Sequence, residues 1–164
     1  MDIADQMYGT WQCISSLTFS DEACTQPLME PFGPNPLGRI TLTPDGYMHA
    51  NITHPDRALP LDKSWRSRAT DEEVARVTRA MSAYCGPCKV SRRDGDVILS
   101  TKAEISLEPT WIGTIQERKV GFGERDGEKT MILKPMEPLQ LPGGKLGYAV
   151  FTWVKMDPKK IVML

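Results

Sequence analysis

The chain has 164 residues, a formal net charge of −1 and 40% hydrophobic residues. This length and composition predict a single folded domain over residues 1–164 rather than a disordered chain. Lysine and arginine (20) balance aspartate and glutamate (21), so the basic surface that nucleic acid requires is not expected. No apolar run approaches the roughly 20 residues of a membrane-spanning helix. We therefore expect neither a nucleic-acid nor a membrane partner.

The first residues, Met1–Gln6, are acidic and lack a basic segment followed by an apolar stretch. They do not resemble a secretory signal, and we expect a cytoplasmic protein. In that reducing compartment the cysteines Cys13, Cys24, Cys85 and Cys88 are expected to be thiols. The sequence leaves open whether Cys85 and Cys88 form an incidental disulfide.

The chain contains a short helical turn at Asp2–Met7 and a series of strand-like runs. Eight such runs are present: Thr10–Phe19, Arg39–Thr43, Tyr47–Thr53, Cys88–Ser91, Val97–Leu107, Thr114–Phe122, Thr130–Lys134 and Gly147–Lys155. Many short strands joined by tight turns favour an all-β sandwich or barrel. The proline-rich segment Pro27–Pro36 is predicted to be an ordered surface loop, and it could also serve as a homodimer contact.

Three tight turns separate neighbouring strands. Pro44–Gly46 suits a type I turn with its glycine in the left-handed conformation. Asp94–Gly95 and Asp126–Gly127 are strong hairpin signals, because a two-residue primed turn requires positive φ at its central residues. Since a turn sets the register of its strands, these turns also predict which side chains face inward.

One amphipathic helix is predicted over Thr70–Tyr84, packed on or over the barrel. Thr70 and Glu73 have the spacing of a capping box. Four apolar side chains share one stripe at helical spacing: Val74, Val77, Met81 and Tyr84. Gly86 and Pro87 are predicted to end the helix, with glycine as its cap.

Pairing the strands across the turns predicts the inner face of each hairpin. The first hairpin contributes Ile40, Leu42, Met48, Ala50 and Ile52. The second contributes Cys88, Val90, Val97, Leu99, Ala103 and Ile105. The third contributes Thr114, Gln116, Arg118, Val120, Phe122, Met131 and Leu133.

The third inner face is apolar near its turn and polar at its far end, where Gln116 and Arg118 lie. A charge on an inner face must be paired or solvated. Either these side chains project into a cavity that holds water or a polar ligand group, or the hairpin slips by one residue, or Arg118 pairs with a protein carboxylate. The sequence leaves these alternatives open.

The segment Cys85–Cys88 has the sequence Cys-Gly-Pro-Cys, the spacing of thioredoxin-like redox motifs. Here the motif is predicted to end a helix, where the helix dipole disfavours a thiolate, and no parallel βαβ pattern accompanies it. A structural helix stop is the preferred interpretation, and a thiol oxidoreductase is the least favoured hypothesis. The two histidines, His49 and His54, lack metal-ligand spacing, so no metal site is predicted.

Several segments resemble those of known proteins. Gly9-Thr10-Trp11, which opens the first strand after a helical turn, resembles the Gly-x-Trp signature of lipocalins. Further segments are similar to the stand-alone lipocalin-like domain family of microbes: Pro31–Ile40, Thr43–Met48, Ala69–Glu73 and Pro109–Thr114. The matches reach Trp153. This resemblance implies an eight-stranded antiparallel barrel, which agrees with the eight strand-like runs.

Two departures limit what the resemblance implies. Lys155 is the nearest candidate for the arginine that covers the tryptophan in classical lipocalins, and their Thr-Asp-Tyr motif is not found. Members of the family often carry a histidine pair on the strand that here has Ser100–Lys102. A catalytic role that rests on those histidines is therefore not implied for this chain.

The resemblance implies a small hydrophobic ligand inside the barrel. The main hypothesis is a cofactor-free isomerase, cyclase or dehydratase of secondary metabolism that acts on a carbonyl-bearing natural-product intermediate. Arg118 and Gln116 would polarise an oxygen, and a carboxylate or phenol such as Glu104 or Tyr148 would move a proton. Glu104 could equally form a solvated pair with Lys102 on the same strand face. The alternative function is a non-catalytic binder or carrier.

The expected ligand-binding set contains the inward apolar and aromatic side chains, because such side chains line most small-molecule pockets. It comprises Trp11, Cys13, Leu42, Met48, Leu99, Trp111, Phe122, Met131, Phe151 and Trp153. The inward face of the last strand is open between Tyr148 on one side and Phe151 with Trp153 on the other.

Overall fold

The computed structural model describes residues 2–57 and 68–157. Its helices are α1 (Ile3–Met7) and α2 (Asp71–Thr78), with 3-10 turns at Pro55–Arg57, Pro109–Trp111 and Pro142–Gly144. Its strands are β1 (Gly9–Phe19), β2 (Pro27–Met29), β3 (Leu37–Leu42), β4 (Tyr47–Thr53), β5 (Met81–Arg93), β6 (Asp96–Lys102), β7 (Ile105–Ser106), β8 (Ile115–Arg125), β9 (Glu128–Pro135), β10 (Leu139–Gln140) and β11 (Leu146–Lys155).

Eight of these strands close into an antiparallel barrel, as predicted. The order around the barrel is β1-β3-β4-β5-β6-β8-β9-β11, and β11 pairs with β1 to close it. The closing ladder runs from Trp11 opposite Lys155 to Phe19 opposite Tyr148, with a bulge between Cys13 and Ser15. The short strands β2, β7 and β10 pair with β1, β5 and β11 respectively. In the described ranges, no helix is long and apolar enough to cross a membrane.

The three predicted turns are confirmed, and with them the register of the hairpins. Thr43 N donates to Tyr47 O at 3.0 Å, and Gly46 has φ +86°. Asp94 and Gly95 have φ of +52° and +87°, and Asp126–Gly127 has +53° and +77°. These are the left-handed values that primed turns require. Asp94–Gly95 therefore joins β5 to β6 as a two-residue loop.

The inner faces follow from these registers, with two corrections. Thr114 was predicted on an inner face, but it precedes β8 and is exposed. Ile105 was predicted to face inward, but it is 69% exposed. The predicted strand Val97–Leu107 is interrupted after Lys102, and Glu104 N donates to Cys85 O at 2.9 Å across the break. The pairing with β5 shifts by one residue there, and a shift of one residue turns every later side chain to the other face.

The predicted helix begins correctly and ends too late. The capping box at Thr70 is confirmed, since its hydroxyl accepts from Glu73 N at 3.3 Å and Glu73 Oε2 accepts from Thr70 N at 2.8 Å. However, α2 ends at Thr78, and Met81 already pairs with Thr53 of β4. Sheet pairing outweighs the weak helical pattern beyond Thr78, because tertiary context overrides local propensity.

Gly86 and Pro87 consequently lie inside β5 rather than at a helix end. Pro87 is paired with Tyr47, the first residue of β4. Gly86 is required there by close approach, since a Cβ at this position would overlap the backbone carbonyl of Lys102. The Gly86-Pro87 pair, which was predicted to end a helix, therefore marks the place where the backbone of β5 closely approaches the backbone at Lys102.

One end of the barrel is filled by the core, and α1 packs against it. The Trp11 indole N–H donates to Met7 O at 2.8 Å, and both side chains are fully buried. Lys155 takes the position predicted for a covering cation, with Nζ 5.2 Å from the centre of the Trp11 ring and 3.3 Å from Gln6 O. We call this the closed end, and the opposite end, where β1 ends and β11 begins, the open end.

Gly86→Ala is expected to destabilise the fold by about 2 kcal/mol or more, because the new methyl group displaces the Lys102 carbonyl. Gly121→Ala is the matched control in β8, where the nearest atom to a new Cβ is Ile132 Cβ at an ordinary 3.7 Å. It should change the free energy of unfolding by no more than about 0.5 kcal/mol. Denaturant unfolding measures both, and equal effects would contradict the assigned close approach.

Candidate ligand-binding site

A cavity of about 460 Å³ occupies the open half of the barrel. Its volume lies in the range of roughly 300–1,000 Å³ that small-molecule sites occupy. The apolar and aromatic part of its wall comprises Ile40, Ala50, Ile52, Tyr84, Trp111, Ile115, Leu133, Pro135, Met136, Pro138, Leu139, Ala149, Phe151 and Trp153. The polar part comprises Ser82, Gln116, Glu117, Arg118 and Glu137.

The rim of the open end is also apolar. Within the described ranges, the exposed large apolar side chains all belong to strand ends or loops at this end. They are Leu28, Met29, Leu37, Met81, Ile105, Leu107, Ile112, Ile115, Met136, Leu139 and Leu146. A hydrophobic ligand would therefore meet apolar surface on its way into the cavity.

Arg118 enters the cavity from the inner face of β8. Its Cζ lies 5.6 Å from the centre of the Trp111 ring and 5.9 Å from that of the Tyr84 ring. The two rings meet edge to face at 5.3 Å. Such cation–π contacts contribute about 0.5–2 kcal/mol each and hold the guanidinium in place. Its Nη1 donates to Glu117 O at 2.9 Å.

Among the described residues, no carboxylate lies within 4.0 Å of the Arg118 guanidinium. Glu117, the next residue along β8, is bound by Arg93 at 2.6 Å and by Ser100 at 3.0 Å. The hydrogen bond from Arg93 is the main reason that the pKa of Glu117 falls from 4.5 to about 2. Glu137 also lines the cavity and is exposed.

Gln116 also lines the cavity, two residues before Arg118 on the same face. Its Nε2 donates to Thr114 Oγ1 at 2.9 Å. Of the three alternatives left open by the sequence, slippage of this hairpin is excluded by the pairing of Arg125 with Glu128 across the two-residue turn. Gln116 and Arg118 project into a cavity.

Tyr84 is the functional candidate that the sequence prediction missed. It was assigned to the helix, whereas it lies in β5 with its side chain in the cavity wall. Burial raises the pKa of its phenol, and the nearby Arg118 charge opposes this only in part. Extending the predicted strand Cys88–Ser91 backwards by its alternating pattern would have placed Tyr84 on the inner face.

The last strand turns Phe151 and Trp153 inward, together with Ala149. Tyr148 alternates to the other side and does not line the cavity. The Trp153 side chain is buried, and its indole N–H has no hydrogen-bond acceptor among the described residues. Trp153 therefore contributes apolar ring surface to the cavity wall, whereas its N–H is not accessible from the cavity.

Two of the four predicted catalytic residues are not in the cavity. Glu104 lies in the interruption between β6 and β7, is exposed, and accepts a hydrogen bond from Tyr47 Oη at 3.1 Å. Lys102 is exposed as well, consistent with a solvated face. Tyr148 faces away from the cavity because of strand alternation. Neither Glu104 nor Tyr148 is placed to transfer a proton inside the barrel.

The predicted ligand-binding set divides between the two halves of the barrel. Trp111, Phe151 and Trp153 line the cavity. Six others fill the closed half as buried core and do not line the cavity: Trp11, Cys13, Leu42, Met48, Leu99 and Met131. Phe122 does not line it either, and lies near the turn with Lys129 Nζ 5.0 Å from its ring centre.

The two cysteines of the Cys-Gly-Pro-Cys segment are not paired with each other in the structure. Cys85 and Cys88 are free and three residues apart on one strand, so their side chains leave opposite faces of β5. The Cys85 Sγ accepts a hydrogen bond from Tyr47 Oη at 3.5 Å. Burial raises the pKa of the inward Cys88 thiol and raises that of Cys13 to about 12, which disfavours the reactive thiolate.

The histidines occupy surface or loop positions. His49 is exposed, with Asn51 Nδ2 3.2 Å from its Nδ1. His54 packs close to Gly33, and its Nδ1 accepts from Asp56 N at 3.2 Å. In the part of the chain that the structure describes, no group of three His, Cys, Asp or Glu side chains is placed to hold a metal ion.

A closed eight-stranded antiparallel barrel with an apolar internal cavity is the architecture of a small-molecule-binding protein. Comparison with protein families agrees with this class. The model of the lipocalin-like domain matches residues 8–156, and the chain belongs to this family. No curated protein and no solved structure was found to be similar to the chain.

Denatured protein prepared without reductant is expected to show four reactive thiols in a colorimetric thiol titration, because all four cysteines are free. In the folded protein at pH 8, Cys13 should react last, since it is 1% exposed and its thiol is protonated. Two thiols after denaturation would contradict the opposite placement of Cys85 and Cys88.

Proposed function

We propose that the protein binds a hydrophobic, carbonyl-bearing small molecule inside the barrel and catalyses its isomerisation, cyclisation or dehydration without a cofactor. The observation that carries this proposal is the Arg118 guanidinium, which projects into an apolar cavity with no carboxylate partner among the described residues. A cation held in this way is suited to an oxygen that gains negative charge in a transition state.

The surroundings of Arg118 support this role. Trp111 and Tyr84 lie side by side and both make cation–π contacts with the guanidinium, so little reorganisation would be needed when a ligand oxygen arrives. Gln116 offers an amide on the same face. The remaining wall is apolar and aromatic, and it would hold the ligand body in one conformation, which by itself accelerates a ring closure.

Tyr84 is our candidate for the proton-transfer role that was predicted for Glu104 or Tyr148. Its phenol is raised in pKa by burial and therefore stays protonated at neutral pH. In that form it is a donor that can protonate or hydrogen-bond an oxygen held by Arg118. The Tyr84 phenol and the Arg118 guanidinium would then act together as two donors to one ligand oxygen on the same side of the cavity.

A non-catalytic carrier is the second candidate function. The observation that favours it is the position of Glu104 and Tyr148 outside the cavity, which removes two of the expected proton-transfer groups. A carrier needs the same apolar cavity and the same Arg118 anchor, but no group that transfers a proton.

The two functions are separated with metabolite extract from a source strain that lacks this gene. Purified protein is added far below the concentration of the accumulated compounds, and the mixture is followed by chromatography and mass spectrometry. Conversion of one compound many times per protein molecule supports the enzyme. Retention of one unchanged compound in a fixed ratio supports the carrier.

In that assay, Arg118→Gln is expected to lower turnover by about 100-fold or more, the usual cost of removing a charge-stabilising donor. Lys119→Gln is the matched control, since it removes the same charge one residue along β8, on the outer face, where Lys119 binds Asp96 at 2.7 Å. It should retain wild-type turnover. Undiminished turnover in a folded Arg118→Gln variant would remove Arg118 from the mechanism.

A further inference from the structure

We infer that the ligand of the barrel carries a full negative charge on oxygen in its bound ground state, as a hydrophobic carboxylate or enolate. This inference rests on the proposed function for the location of the site, but not on turnover. It names the class of molecule that fits the cavity, and it follows from the charge and donor content of the wall.

The cavity has one inward cation and no described carboxylate that neutralises it. Glu117 binds Arg93 and Ser100 by its carboxylate, on the other side of β8. Glu137 is exposed and makes no ion pair with Arg118 within 4.0 Å. Arg118 is therefore the one cation among the described side chains of the cavity lining, and neither carboxylate of that lining pairs with it.

The Arg118 guanidinium also has N–H groups that donate to no described residue. It carries five N–H groups and accepts no hydrogen bond. One of its nitrogens donates to Glu117 O at 2.9 Å, and no other hydrogen bond of Arg118 to a described residue is formed. The remaining N–H groups must donate to water or, once a ligand has displaced that water, to the ligand.

Trp153 lines the cavity deeper in the barrel, but its N–H is not accessible from the cavity. The Trp153 indole N–H is buried without an acceptor among the described residues, and an indole nitrogen cannot accept. Arg118 pairs with Pro135 of β9, whereas Trp153 pairs with Met131. The two residues thus lie opposite positions four residues apart on β9, roughly 13 Å of strand, which leaves room for an apolar ligand body between the guanidinium and the Trp153 ring.

A neutral ligand would leave the cation in a worse environment than water does. Filling an apolar cavity removes water from the guanidinium, and an unpaired charge without water is costly. An anionic oxygen offsets that loss with a charge-assisted hydrogen bond, which is about twice as strong as a neutral one. The wall thus favours an anion at Arg118 and an apolar body that extends toward Leu133, Phe151 and Trp153.

The inference is tested with two fluorescent probes that share one skeleton and differ in charge. They are 8-anilinonaphthalene-1-sulfonate and the neutral N-phenyl-1-naphthylamine, titrated against the full chain. Wild-type protein should bind the anion about tenfold more tightly than the neutral probe. Arg118→Gln should abolish this preference by weakening the anion about tenfold, while the affinity for the neutral probe changes less than about twofold.

Two further variants keep the result interpretable. Arg118→Lys retains the charge and should retain part of the preference for the anion. Lys119→Gln removes a charge from the outer face and should leave both affinities unchanged. Far-ultraviolet circular dichroism confirms that each variant is folded.

The outcomes separate the inference from the proposed site. Equal affinity for both probes in wild-type protein would overturn the anionic ligand and leave the cavity as a binding site. A preference that persists in Arg118→Gln would also overturn it, because the sulfonate would then be bound elsewhere. Failure of both probes to bind would count against the proposed binding site itself.

Discussion

The two-residue turn at Asp126–Gly127 is the constraint on which the site depends. Both residues hold positive φ, so β8 and β9 can pair in only one register. That register turns Val120 and Leu133 into the core and, further from the turn, brings Arg118 into the cavity. A slip of one residue would exchange the two faces of the hairpin and move the guanidinium into solvent.

Much of the fold was predictable because turn chemistry and alternation are local. Met48 and Ile52 lie inside the barrel as the Pro44–Gly46 turn requires. The end of α2 was not predictable in this way, because Met81 and Tyr84 satisfy a helical stripe and a strand equally, and only pairing with β4 decides between them. Long-range contacts decide such ambiguous segments.

The candidate site was predicted in part. Arg118 and Gln116 stand out in the sequence as polar side chains on an otherwise apolar inner face, and both line the cavity. Some inner side chains fill the barrel and others line the cavity. The division between them depends on closure by β11 and on the packing of α1, and neither can be predicted from a local sequence pattern. Leu99 and Met131 were therefore placed in a ligand pocket that lies nearer the open end.

A crystal structure of the protein with bound 8-anilinonaphthalene-1-sulfonate tests the central claim most directly, because it locates the anion and the aromatic body at once. The account predicts the sulfonate within hydrogen-bond distance of the Arg118 guanidinium, and the rings against Leu133 and Phe151 inside the barrel. Density for the probe only on the exposed apolar side chains of the open end, with an empty cavity, would contradict it.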